Sequence, residues 1–333
     1  MSCRRRRLAP ATALGLLLAG ALAVVLVANG SPGDAGVDRW RPLAPSPLER
    51  TEVAAARIGR SIYVVGGFER SSGRTVASVA RYDIRRDRWA RVRSMPLALN
   101  HATAVAYRGR LYVHGGYRSA TDLAEPTGAL LRFDPRPGRW RRLPAAPTPR
   151  AAHAAAVLGG RLYVAGGAND SGSLRSLEVY DFARRRWSTG PSFPGPARNH
   201  AAGVASGGWF YVLGGRDRGN LAVAERFNPR RREWRQLPKM GVARSGSAAV
   251  RLGDGRLVAF GGEELAAGGG TIAEAELFDP SARRWRRLPG LRTPRHGLGG
   301  AALGRRVFAI EGGPTPGLSH SSAIEYLDVS RSR

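Results

Sequence analysis

Apolar runs of four or five residues recur along the chain about every fifty residues, and each ends on a glycine pair. Arg161–Trp187 is the clearest copy, reading RLYVAGGANDSGSLRSLEVYDFARRRW. Leu162-Tyr163-Val164-Ala165 is the aliphatic and aromatic run expected of a strand buried on both faces. Gly166-Gly167 lets the backbone turn sharply and lets a neighbour come close. An aromatic-Asp pair, Tyr180-Asp181, ends a third strand, and Trp187 opens a fourth, six residues after the Asp. A small-residue strand, Ala154-Ala155-Ala156, precedes the whole unit. Four short strands per unit predict an all-β chain built of repeated four-stranded sheets.

The unit occurs six times. Glycine pairs stand at Gly66-Gly67, Gly115-Gly116, Gly166-Gly167, Gly214-Gly215, Gly261-Gly262 and Gly312-Gly313. Tryptophans stand at Trp40, Trp89, Trp140, Trp187, Trp234 and Trp285. In five copies the Trp lies six residues after the Asp or Asn of Tyr82-Asp83, Phe133-Asp134, Tyr180-Asp181, Phe227-Asn228 and Phe278-Asp279. In the sixth, Leu327 takes the aromatic slot with Tyr326 beside it, and Asp328 would put the Trp beyond Arg333. Trp40-Arg41-Pro42-Leu43 supplies the missing piece from the other end of the chain. A Gly-Gly, aromatic and Trp order repeated six times resembles the kelch-repeat β-propellers over about Trp40 to Asp328. The resemblance implies a six-bladed kelch-type propeller over residues 39–333, its last blade closed by the N-terminal strand.

Before the repeats, Arg4–Arg7 is a block of positive charge and Leu8–Ala28 carries no charge. As a helix that stretch spans about 31 Å, enough for a bilayer core. The expectation is a cytoplasmic basic tail (1–7), a transmembrane helix or uncleaved signal anchor (8–28) and a linker (29–38). The propeller then lies on the extracytoplasmic side of a bacterial cell membrane, held by a single pass. The alternative is secretion after signal cleavage.

Charge sharpens this picture. Of 53 basic residues only Lys239 is lysine, and the net charge is +28. Strand order places the 1–2 and 3–4 turns on one face, where Arg85-Arg86, Arg184-Arg185-Arg186 and Arg230-Arg231-Arg232 fall. That face is expected to meet an anionic membrane surface. No nucleic-acid partner is expected, because the basic turns lack aromatics for base stacking.

The other face receives the connections that enter each first strand. Arg50, Asn100, His101, Arg150, His153, Arg198, His200, Arg244, Arg295 and His296 stand there and are expected to ring the mouth of the axial channel. A ring of arginine forks suits carboxylates or sulfates. Glu125, Glu263 and Glu264 are candidate carboxylates on the longer loops of this face. The single cysteine, Cys3, excludes an intrachain disulfide and the tyrosine–cysteine copper site of galactose oxidase, a kelch-type enzyme. The histidines come from separate blades, so no metal and no cofactor is expected. The chain lacks a phosphate-binding glycine loop, a Gly-x-Ser-x-Gly elbow and a His-Glu-x-x-His zinc motif. These features point to a non-enzymatic binding module for an acidic glycan or an acidic protein segment. The resemblance leaves a second class open, a sugar-acid mutarotase of the kind found among six-bladed kelch proteins of the periplasm.

Overall fold

Each repeat grades from small to large side chains and so stacks radially. The computed structural model describes residues 39–266 and 268–330. The expected tail, transmembrane helix and linker lie outside the described residues. Among those described, no helix is long and apolar enough to cross a membrane.

The described residues form six four-stranded antiparallel sheets, arranged as a β-propeller. In the third, Ala154–Leu158, Arg161–Ala165, Leu177–Asp181 and Arg186–Gly190 pair in that order. Its inner strand carries alanines, because the taper toward the axis leaves room for little else. Its second strand is buried from Leu162 to Ala165, and its outer strand is half exposed and polar. The other five sheets repeat this order, and the inner strands of successive sheets pack against one another.

The sixth sheet takes its outer strand from the other end of the chain. Arg41–Pro42 pairs with Ile324–Asp328, Arg41 opposite Tyr326. Trp40 thereby faces Leu327, the register that Tyr82 and Trp89 keep in the first sheet. Two sets of hydrogen bonds run from sheet to sheet at this level. Each Trp Nε1–H donates to a carbonyl in the exit segment of the preceding sheet, from Trp89 to Ala44 through Trp40 to Pro289. The second residue of each glycine pair donates its N–H to the carbonyl that precedes the next sheet, Gly116 to Arg150 for example.

That second set corrects the sixth glycine pair. Gly312, not Gly313, donates to the Arg50 carbonyl, so the pair is Glu311-Gly312. The first slot has a left-handed φ, +64° at Gly115, and a Cβ there would lie 2.4 Å from the Arg150 carbonyl oxygen. Glu311 accepts that conformation at φ 54°. Its buried carboxylate has a use that glycine cannot serve.

Candidate functional site: the channel mouth

Three residues precede each inner strand. They are Arg50-Thr51-Glu52, Leu99-Asn100-His101, Arg150-Ala151-Ala152, Arg198-Asn199-His200, Arg244-Ser245-Gly246 and Arg295-His296-Gly297. The side chains in these three slots do different things.

The first slot does not open on the mouth. Arg50, Arg150, Arg198, Arg244 and Arg295 are fully buried. Four of them pair with a glutamate on the third strand of their own sheet. Arg150 meets Glu178 at 3.1 Å, Arg198 meets Glu225 at 2.6 Å, Arg244 meets Glu276 at 2.8 Å and Arg295 meets Glu325 at 2.6 Å. Each also reaches backbone, as when Arg150 donates to the Gly166 carbonyl. Burial lowers the pKa of these four arginines and the paired carboxylate opposes the shift. The first sheet has Ala80 where those four have glutamate, and there Glu311 reaches across to Arg50 at 2.8 Å. The second sheet replaces both partners, with Leu99 and Leu131 packed in one apolar cluster. The expected arginine ring is therefore a set of internal ties, since a buried charge is tolerable only when paired.

The third slot lies on the axis. Glu52, His101, Ala152, His200, Gly246 and Gly297 all have left-handed φ between 50° and 61°. Their backbones form a near-continuous ring. His101, Ala152, His200, Gly246 and Gly297 each donate N–H to the carbonyl of the slot before, and Val53 donates to Gly297. The conformation is required because it turns each N–H sideways into the ring rather than along its own sheet. Gly297 is small because the Glu52 carboxylate lies over it, 2.5 Å from where a Cβ would be.

Side chains at this level form one polar cluster. His101 Nε2 is 3.1 Å from Glu52 Oε2, and His296 Nε2 is 3.5 Å from both Glu52 Oε1 and Glu263 Oε2. Arg216 donates to Glu263 at 2.9 Å and to His200 Nε2 at 3.1 Å. The His101 and His200 rings meet edge to face at 4.9 Å, and Phe68 and Tyr117 flank His101. Burial lowers the pKa of His101 against the pull of Glu52, and pushes His200 well down with help from Arg216. Among the described residues, Glu52, His101 and His200 form the group that could hold a metal ion, their ligand atoms lying within 4.8 Å of one another. Beneath them a channel cavity of about 190 Å³ runs between the inner strands.

His101, His200 and His296 thus converge as the sequence suggests, with Asn100 behind His101. His153 does not join them. It meets His114 edge to face, Nε2 to Nδ1 at 2.9 Å, in a buried pair between the second and third sheets. Burial drives the His114 pKa down to about 3 and that of His153 well below 6.5. Glu263, expected as a loop acid, is buried in the cluster. Sequence reasoning missed Glu52 and Arg216. Glu52 was findable, because it occupies the slot of His101 and His200 in its own repeat.

Among the described residues the exposed large hydrophobics are Leu123, Leu265 and Leu318. All three stand on loops between second and third strands, on the mouth face. Arg118 and Arg218 are exposed on loops of the same face.

A family model described as the KLHDC2/KLHL20/DRC7 kelch-repeats domain matches residues 52–262. Kelch-like protein 33 of Homo sapiens is 35% identical over 142 residues, 42% of this chain and 26% of that protein. Kelch-like protein 41a of Danio rerio is 29% identical over 143 residues, 43% of this chain and 23% of that protein. Beta-scruin of Limulus polyphemus is 29% identical over 150 residues, 44% of this chain and 16% of that protein. The matches span between 16% and 26% of each relative's length. The solved structure of YjhT superposes with a TM-score of 0.75 at 17% identity, covering 87% of this chain and 98% of that one.

Proposed function

The chain belongs to the kelch-repeat family, and on that footing we propose that it is a non-enzymatic binding propeller that takes a protein segment at its loop-side mouth. The six sheets are read as six blades, closed by the N-terminal strand. The observation that carries the reading is that Leu123, Leu265 and Leu318 are each exposed on a loop of one face. Exposed apolar side chains on loops of a rigid scaffold are the usual anchors of a partner. Arg118 and Arg218, exposed on loops of the same face, suit carboxylates, so the segment is apolar and acidic. A protein segment fits better than an acidic glycan, because the five arginines a glycan would use are already paired inside.

Panning a random peptide library on the full chain tests this. Enriched peptides should carry apolar and acidic residues, and should bind Leu123→Ser/Leu265→Ser/Leu318→Ser at least about tenfold more weakly. Equal binding to both proteins would remove the loop leucines from the interface.

One observation favours a second reading, a sugar-acid mutarotase. Glu52 and three histidines at one mouth are groups able to move protons at an anomeric carbon. Proton NMR decides it: a mutarotase accelerates anomer exchange of a free sugar acid, whereas a binder leaves the exchange rate unchanged.

We further propose that Leu8–Ala28 anchors the propeller outside a cell membrane with its arginine face toward the anionic leaflet. The first described residue, Arg39, lies two residues before the Arg41–Tyr326 pair, at the end of the sixth sheet where Arg306 meets Asp328. A fragment Asp38–Arg333, which is one compact unit, should then float with anionic vesicles at low salt and not with neutral ones. Equal flotation with both would refute the orientation.

A further inference from the structure

The polar cluster at the channel mouth has an excess of hydrogen-bond acceptors. Consider His101 first. The Thr75 hydroxyl donates to the Ser119 carbonyl, so its oxygen must accept from Asn100 Nδ2 at 2.8 Å. Asn100 Oδ1 then faces His101 Nδ1 at 2.7 Å and accepts its proton. The Nε2 of neutral His101 is left as a lone pair, yet it lies 3.1 Å from a Glu52 oxygen, a second acceptor. His200 repeats the arrangement. Its Nδ1 donates to Asn199 Oδ1, Asn199 Nδ2 donates to Ser173 Oγ at 2.8 Å, and Nε2 accepts from Arg216, which can only donate. His296 Nδ1 faces the Gly313 carbonyl at 3.1 Å, so its Nε2 also turns a lone pair toward Glu52 and Glu263.

Three imidazole lone pairs and two carboxylates therefore converge, with Arg216 as the cation among them. Two facing acceptors at 3.1 Å repel unless a positive charge lies between them. An Nδ1–H anchored on a carbonyl or amide oxygen, with Nε2 free, is the outer-shell pattern that orients a histidine as a metal ligand. We propose that Glu52, His101 and His200 bind a divalent transition-metal ion of the zinc class on the channel axis, with His296 adjacent and a position open to the channel. Imidazole and carboxylate suit such an ion, and three protein ligands with one open position are a common zinc arrangement. The ligand atoms already lie within 4.8 Å of one another. Zinc uptake requires the Arg216 guanidinium to leave His200 Nε2, and Glu263 already holds its other nitrogen. This inference stands apart from protein binding at the rim, since it uses the floor of the mouth.

The untagged full chain, stripped with chelator and with Cys3 alkylated, provides the test. One equivalent of Zn²⁺ should remain after dialysis, and Co²⁺ should give the visible absorption of a four- or five-coordinate site. Zinc-edge X-ray absorption of the wild type should show imidazole and carboxylate ligands and no sulfur, a readout that needs no variant. Glu52→Gln and His200→Gln should lose the Co²⁺ spectrum, while His320→Gln keeps it. Arg216→Met should bind at least about tenfold more tightly, because a neighbouring positive charge is removed. Failure of the wild type to retain zinc or cobalt would overturn the proposal and leave a shared proton between His101 and Glu52. Metal retained equally by Glu52→Gln and His200→Gln, or weaker binding by Arg216→Met, would also overturn it.

Discussion

Arg198→Ala is expected to destabilise the propeller by about 3–5 kcal/mol, the cost of leaving a buried charge without its partner. Arg198 is fully buried, and so is Glu225, 2.6 Å away. The guanidinium also lies 4.3 Å over the Phe193 ring, so the substitution removes packing as well as charge. Arg198→Leu/Glu225→Leu should recover most of the loss, because neither charge then has to be desolvated. The chain contains its own precedent. In the second sheet Leu99 and Leu131 occupy these two slots and pack in one apolar cluster. Denaturant unfolding of Asp38–Arg333 and its variants measures all three values. A single-variant loss below about 1 kcal/mol, or a double variant no more stable than Arg198→Ala, would show that the pair is not the tie described.

Trp40→Ala is the second large effect, expected at about 3–5 kcal/mol for a buried aromatic truncated in a core. Trp40 is 2% exposed, whereas the five equivalent tryptophans are half-buried. Its ring packs 5.6 Å from Phe260, and its Nε1–H reaches the Pro289 carbonyl at 2.9 Å. It lies in the largest apolar cluster, which joins the fifth and sixth sheets. Removing residues 38–43 altogether would also uncover the edge of Ile324–Asp328, and an unpaired edge invites association. Thermal unfolding compares Trp40→Ala with Trp187→Ala. Equal losses would mean that the junction at the chain ends carries no special weight.

The four-strand repeat and the supply of a sixth Trp from Trp40 were legible because they depend on spacing alone. The sixth glycine pair was misread because Glu311 fills the first slot and Gly313 happens to follow Gly312. Only the hydrogen bond from Gly312 to Arg50 sets the register. The arginines were legible as recurring residues, and their direction was not. Each carboxylate partner lies on another strand, from Glu178 for Arg150 to Glu325 for Arg295. A trace of the pairing did exist. Glu178, Glu225, Glu276 and Glu325 each stand three residues before the Asp or Asn that ends the third strand, in the four repeats where arginine has a local partner.

By itself, then, the sequence determined the repeat, the strand order, the two faces and the joining of the chain's ends. These follow from periodicity and from turn chemistry, which are local. Tertiary structure alone decided which charges are spent inside and which remain at the mouth. Neighbouring slots in one tripeptide differ in φ, so Arg50 turns into the sheet while Glu52, two residues on, turns to the axis. Charge neutralisation in a buried site depends on residues brought together from separate strands and sheets, and no linear pattern records that.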